Sequence, residues 1–162
     1  MIHALDCDFA VSFFNDDPGF VWRQNLVVGT NDLHFVNREQ SCLMHLAYDG
    51  TLLNSIKFTH STESVDLIGI APFSNGANVM AFGFLGDNDC YLISMARSDL
   101  SVDFNRVLEN KRIVVVSSDS AGRMYLGGHT TNDFKGFLIR LNENSSPMEF
   151  DLQVMFSRPT SG

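Results

Sequence analysis

Short apolar runs alternate with short polar turns along most of the chain. Three segments, each an apolar run followed by a turn and a second run, align without gaps at offsets of 49 and then 46 residues: 42–53, 91–102 and 137–148. Their turns are rich in Gly, Asp, Asn and Ser, which favour turns because Gly tolerates positive φ and the others can hydrogen-bond to their own backbone. The alignment predicts an internal threefold repeat built from β-strands.

Two further strand-like runs precede each aligned segment. The nearer run ends at glycine in all three units, at 26–29, 79–83 and 124–128, and the farther run lies at 9–13, 67–71 and 113–116. A polar loop follows each nearer run, and in the first unit this loop is predicted to extend from Thr30 to Ser41. Four short strands per unit with regularly spaced turns predict an all-β chain. We expect one domain over 1–162, with repeat units at about 9–58, 66–107 and 112–156.

Two all-β architectures fit three four-stranded repeats. A β-trefoil closes within one chain of this length, whereas a β-propeller uses one such unit per blade and needs about 4–8 blades. Three blades would leave two outer sheet faces bare, and a soluble monomer does not tolerate apolar faces of that size. The leading prediction is therefore a partial β-propeller of three blade-like repeats, completed by oligomerisation or a partner, and the alternative is a β-trefoil.

The third unit has the most regular pattern. An apolar strand is followed by a D-x-x-G turn at Asp119–Gly122, an apolar strand ending in Gly127–Gly128, a polar loop, and the strand Phe137–Asn142 of the form F-L-x-R-L-N. This unit resembles the delta-sixty and SBBP-type propeller repeats of bacterial and phage surface proteins, and the second unit resembles them less closely. The resemblance implies a blade fold and a structural component of a virion or cell surface, and it implies no catalytic site.

Composition narrows the expected partners. The 162 residues are 44 % hydrophobic and 19 % charged, and 11 Lys and Arg against 19 Asp and Glu give a formal charge of −8. An acidic chain without a basic run is not expected to bind nucleic acid or an anionic membrane surface. No run approaches the roughly 20 apolar residues of a membrane span, so membrane insertion is not expected either. The N-terminus shows no signal-peptide pattern, so we expect a soluble protein assembled in the cytoplasm, including as part of a virion. Without a C-x-x-C pair, Cys7, Cys42 and Cys90 are expected to be free, buried residues.

No residue constellation predicts catalysis. The chain lacks a G-x-S-x-G elbow, a P-loop and a dinucleotide fingerprint, and no histidine pair has the spacing of a helical metal site. His45 lies between Met44 and Leu46 in a predicted strand, where alternation places it on the opposite face, half-buried or at the surface. Asp87–Asp89 has turn propensity without the spacing of a calcium loop. We therefore predict no enzyme activity, no metal site and no cofactor.

Departures from the repeat are the candidate binding positions, because partner contacts in repeat scaffolds concentrate there. Trp22 is the only Trp and lies in a segment that breaks the repeat. Leu33, His34 and Phe35 lie at the tip of the longest predicted loop, and His129 follows a strand end at the rim of the third unit. These residues predict an interaction module that binds protein, either a second copy or a larger structure. The alternative is a lectin-like module that binds glycans.

Overall fold

A computed structural model describes residues 2–5, 26–38, 40–73, 76–121, 123–142 and 149–156. Within these ranges all regular structure is β-strand, and no helix is present that could cross a membrane. In chain order the strands are β1 (Ile2–Leu5), β2 (Leu26–Val28), β3 (Asp32–Asn37), β4 (Cys42–Ala47), β5 (Leu52–His60), β6 (Val65–Pro72), β7 (Asn78–Leu85), β8 (Asp89–Ala96), β9 (Val102–Leu108), β10 (Lys111–Ser118), β11 (Arg123–Thr130), β12 (Gly136–Asn142) and β13 (Glu149–Phe156).

The strands form three antiparallel sheets. The first sheet has the order β1-β5-β4-β3-β2, the second β6-β7-β8-β9 and the third β10-β11-β12-β13. Each contains a four-stranded meander, and in the first sheet β1 adds a fifth strand along β5. No described strand pairs with a strand of another sheet. Separate meanders are typical of propeller blades, whereas a trefoil closes a barrel between its units, so the prediction of three blade-like repeats is confirmed.

The three sheets repeat in register as well as in strand order. The third and fourth strands of each meander share a β-bulge, at His45/Leu46 in the first sheet, at Ser94/Met95 in the second and at Arg140/Leu141 in the third. These positions keep the sequence offsets of 49 and 46 residues. A bulge adds a residue and increases the local twist, so its recurrence means that equivalent strands bend alike. The offsets therefore identify structurally equivalent residues in the three sheets.

The first unit departs from its prediction. Strand β3 lies where a polar loop was expected between Thr30 and Ser41, and it pairs with β4 as β7 pairs with β8. The equivalent of 79–83 is therefore β3 and not 26–29, which contributes the preceding strand β2. The polar residues Asp32 and His34 hid this strand, because they face a neighbouring sheet where apolar residues were expected. The predicted strand at 9–13 lies outside the described residues.

The sheets follow one another in a row with an apolar layer between each pair. The layer between the first and second sheets contains Val27, Val36, Leu43, Phe58, Leu67, Ile70, Val79, Ala81, Leu85, Tyr91, Ile93, Met95 and Leu100. The layer between the second and third contains Ala71, Phe73, Met80, Phe82, Cys90, Leu92, Leu108, Ile113, Val116, Met124, Leu126, Phe137, Ile139 and Leu141. The second sheet is therefore apolar on both faces, which explains its nearly continuous hydrophobic strands.

The cysteines divide into two kinds. Cys90 is free and buried, as expected, and burial raises the pKa of its thiol to about 12. Cys42 is disulfide-bonded, so the expectation that it is free is wrong. Wide spacing in the sequence was a poor guide because a disulfide requires proximity in space and not along the chain. Cys7 lies outside the described residues.

Candidate functional site

A cluster of polar side chains lies between the first and second sheets. Asp32 and His34 alternate with Val36 along one face of β3, and His34 pairs across the sheet with His45 of β4. Val36 and Leu43, on the same face, belong to the apolar layer against the second sheet. The cluster therefore continues this layer at one end, where polar side chains replace the apolar ones.

Arg97 connects the cluster to the second sheet. It lies in the turn that follows β8, where its Nη2 donates to Asp32 Oδ1 over 2.7 Å and its Nη1 donates to the Gly76 carbonyl over 3.2 Å. His34 Nε2 lies 3.0 Å from the Arg97 carbonyl oxygen. A Cβ at Gly29 would lie 1.8 Å from Asp32 Oδ1 and 1.9 Å from Arg97 Nη2, so the ion pair requires glycine there.

The hydrogen bonds assign the protons of both histidines. A carbonyl only accepts, so His34 Nε2 must carry the hydrogen that bonds to Arg97. His45 Nε2 lies 2.9 Å from Asp32 Oδ2, and an ionised carboxylate also only accepts. Burial raises the pKa of Asp32, but the His45 hydrogen bond and the charge of Arg97 outweigh burial and lower the pKa overall. With Asp32 ionised, each neutral histidine is left with a lone pair on Nδ1.

Both histidines are buried and their rings stack. His34 is 0 % exposed and His45 is 5 % exposed, with ring centroids 4.3 Å apart and an angle of 13° between the rings. Both Nδ1 atoms are buried without a hydrogen-bond partner. Burial lowers the pKa of His34, and the hydrogen bond to the Arg97 carbonyl opposes this shift without cancelling it. The folded protein therefore favours neutral His34.

Asp32, His34 and His45 have the composition of a metal site, with ligand atoms within 4.8 Å of one another. A metal ion lies close to the plane of each imidazole that binds it, however, and the planes of two stacked rings inclined by 13° do not meet near the rings. Arg97 also already supplies the positive charge that Asp32 needs. The observed arrangement therefore fits a hydrogen-bonded connection between two sheets better than a cation site.

The structure does not bring the predicted binding residues together. His34 joins the cluster, Leu33 and Phe35 alternate onto the opposite face of β3, and His129 lies on β11 of the third sheet. The prediction that Leu33, His34 and Phe35 lie at a loop tip is therefore wrong, because all three lie within β3. Trp22 lies outside the described residues.

Sequence reasoning missed Asp32, Arg97 and the burial of His45. His45 is buried because both faces of β4 are covered: Leu43 packs against the second sheet, and Met44 and Leu46 on the far face are each 0 % exposed. The expectation that His45 is half-buried or at the surface is therefore wrong. The alternation of Asp32, His34 and Val36 was a usable signal for β3. No local signal indicated Arg97, which lies 65 residues from Asp32.

A second candidate site is the outer face of the third sheet. Its inner residues Met124, Leu126, Phe137 and Ile139 pack on the second sheet, so the alternating residues point away from it. One cross-strand row on this outer face consists of Val115, Gly127, Leu138 and Val154. Val115 is 46 % exposed, and its Cγ1 lies 2.9 Å from the point where a Gly127 Cβ would be. The row is thus an apolar strip on an uncovered face.

Polar and aromatic side chains flank this strip. On one side, Asp119 accepts hydrogen bonds from Arg123 Nε over 2.8 Å and from the Tyr125 hydroxyl over 3.3 Å. On the other side, the His129 ring stacks on Phe134, with centroids 5.9 Å apart. Phe134 is 75 % exposed. The outer face therefore combines an apolar centre with a mixed border.

The repeat offsets show which residues of the other two sheets are equivalent to those on this outer face. Leu138 is equivalent to Leu43 and Leu92, and both of these are 0 % exposed in the layers that join one sheet to the next. Leu138 occupies the same place in the third sheet but is only partly buried. The far face of the first sheet, in contrast, is covered at Met44 and Leu46. The expectation of two bare outer faces is therefore wrong for the first sheet.

A polar groove lies at one end of the second and third sheets. Its lining includes Arg106, Glu109, Lys111, Asp133 and Phe150. Its aromatic ring, Phe150, is already covered by the Arg106 guanidinium, 4.7 Å from the ring centroid. Sugar-binding platforms need an accessible aromatic face. The groove therefore adds no support to the glycan-binding alternative.

No family model matches the chain, and no curated protein matches it.

Proposed function

We propose that the chain is a non-enzymatic assembly module that pairs with a second copy through the outer face of its third sheet. The observation that carries this proposal is the position of Leu138. Its equivalents in the other two sheets are fully buried against a following sheet, while Leu138 has no following sheet within the described chain. An apolar strip of this kind is typical of a surface that another protein covers.

The arrangement of both outer faces favours twofold pairing. A head-to-tail contact would place the third sheet of one copy against the first sheet of the next, where Met44 and Leu46 are already buried. Pairing of two third sheets uses the uncovered face of each copy and does not involve the first sheet. The border of the face offers both charge signs, Arg123 and Asp119, and a twofold interface brings opposite members of such a pair together.

The resemblance of the third unit to repeats of surface and phage proteins supports a place in a virion or cell-surface structure. Such structures are built from repeated copies of a few chains. A module that pairs through a sheet face would supply one of their contacts. This part of the proposal rests on analogy of pattern.

The oligomeric mass in solution tests the proposal. Analytical ultracentrifugation of the full chain should give twice the mass of one chain, and Leu138→Asp should give a single-chain mass because it places a charge in the apolar strip. Val115→Lys tests the same strip at a more exposed position, in case Leu138→Asp perturbs the fold. Val102→Asp, at a position 48 % exposed in the second sheet, is the control and should leave the pairing unchanged.

Each outcome decides the question. A wild-type chain that stays monomeric across the accessible concentration range contradicts pairing with a second copy. A wild-type dimer that both strip variants leave intact contradicts the choice of face. A dimer lost equally in Val102→Asp indicates a general effect of charge and also overturns the assignment.

A further inference from the structure

We propose that the Asp32–His34–His45–Arg97 cluster is a proton-sensitive connection, which holds the first sheet to the second at neutral pH and loosens in mild acid. The inference is independent of pairing through the third sheet. It rests on the tautomers, the burial and the stacking of the two histidines.

An added proton has one place to bind on His34. Each histidine already donates its Nε2 hydrogen, His34 to the Arg97 carbonyl and His45 to Asp32. On His34 a further proton can bind only at Nδ1, which is buried without a hydrogen-bond partner. Protonation would create a buried N–H without an acceptor, together with a buried positive charge. Both carry a free-energy cost.

The charged groups around His34 already balance one another. Asp32 on β3 and Arg97 in the turn after β8 form an ion pair, so their charges cancel before any proton is added. On the neighbouring turns, the Tyr48 hydroxyl donates to the Gly29 carbonyl, and Asp49 and Asp99 accept hydrogen bonds from Thr51 and Ser101. Among the described residues, Asp32 is the carboxylate whose charge acts on the pKa of His34, and Asp32 is already paired with Arg97.

The cluster lies at the contact between the first and second sheets. The cluster spans two sheets, because His34 bonds to the backbone of Arg97 and Asp32 bonds to its side chain. A positive charge on His34 would therefore destabilise the contact between the first and second sheets directly. Among the described residues, the buried histidines are His34 and His45, and both lie at the contact between the first and second sheets. Acid should thus open one interface and leave the other closed.

Hydrogen exchange of the full chain tests this inference. Amide protection is compared at pH 7.5 and pH 5.5, corrected for the pH dependence of intrinsic exchange, with a chelator present so that no cation replaces the proton. We expect protection in β3, β4 and the turn after β8 to fall by up to about tenfold for each pH unit below about 6.5 and each proton bound. Protection in β11 and β12 should change little.

Two variants distinguish loosening caused by this cluster from a general effect of acid on the whole chain. In His34→Gln, the amide can still donate to the Arg97 carbonyl but does not titrate, so the loss of protection in acid should disappear. His129→Gln removes a histidine of the third sheet and should behave as wild type. Equal protection at both pH values in the wild-type chain overturns the inference, and this comparison stands even where His34→Gln fails to fold. A parallel loss in β11 and β12 also overturns it.

Discussion

The two layers between the sheets solve the same packing problem in different ways. The layer between the second and third sheets is almost wholly apolar, with Phe82, Leu92 and Phe137 at its centre. The layer between the first and second sheets is apolar over most of its area and ends in a partly buried ion pair and two stacked, buried histidines. Apolar contacts depend little on pH and tolerate small displacements. Buried hydrogen bonds between charged groups require fixed geometry and fixed protonation.

Equivalent positions make this contrast specific. His45 and Ser94 occupy the same place in their sheets, and both are buried against the following sheet. Ser94 is small and lies close to Asn78, whose Nδ2 is 3.4 Å from its hydroxyl. His45 is large, titratable and bonded to a carboxylate. The repeat thus preserves backbone geometry while the chemistry of each interface differs.

The largest expected effect comes from removing an aromatic ring from the apolar layer. Phe82→Ala should lower the free energy of unfolding by about 3–5 kcal/mol, because it removes a fully buried ring and leaves a cavity. Urea denaturation followed by circular dichroism measures this change. Phe134→Ala, at a position 75 % exposed, is the matched control and should have little effect. Similar losses in both variants would contradict the assignment of this core.

The next effect concerns the ion pair of the polar cluster. Arg97→Met should lower the free energy of unfolding by about 1.5–3 kcal/mol, because it leaves Asp32 partly buried without its charged hydrogen-bond donor. The control is Arg123→Met, which breaks the more exposed pair with Asp119 and should change stability little. Denaturation of both variants under the same conditions makes the comparison. Equal losses of stability in the two variants would mean that partial burial of the Asp32–Arg97 pair does not increase its contribution to the free energy of unfolding.

A smaller effect is the pH dependence of global stability. Burial lowers the pKa of His34, so the unfolded chain binds a proton more readily than the folded one. Stability from this group is complete above the unfolded pKa of about 6.5 and is lost as pH falls below that value towards the folded pKa. Denaturation midpoints measured between pH 8 and pH 5 should decline on the acid side. A decline of the same size in His34→Gln would exclude His34 as its cause.

The smallest effect is expected at the repeat equivalent of His45. Ser94→Ala should change the free energy of unfolding by less than about 1.5 kcal/mol, because it removes one weak hydrogen bond from an otherwise apolar layer. His45→Ala should cost more, since it removes a buried ring and the partner of Asp32. A larger effect at Ser94 than at His45 would reverse the contrast between the two layers.

Prediction from the sequence succeeded where the signal was local. In the second and third units, apolar runs bounded by Gly, Asp and Ser coincide with strands, and the offsets of 49 and 46 residues recur as equivalent bulges. The first unit was predicted poorly because β3 carries polar residues on its buried face. His34 was selected as a binding residue, but it lies in an interface within the chain instead of at a loop tip.

The sequence by itself determined that the chain is all-β, that it repeats three times and where most turns lie, because turn chemistry and strand alternation act over a few residues. Only the tertiary structure decided which side chains meet between sheets. Arg97 reaches Asp32 across 65 residues, and His45 is buried on a strand whose two faces are both covered. Such contacts depend on how the sheets stack, and stacking brings together residues that share no local pattern. The uncovered face of the third sheet and the proton-sensitive cluster between the first two emerge only at that level.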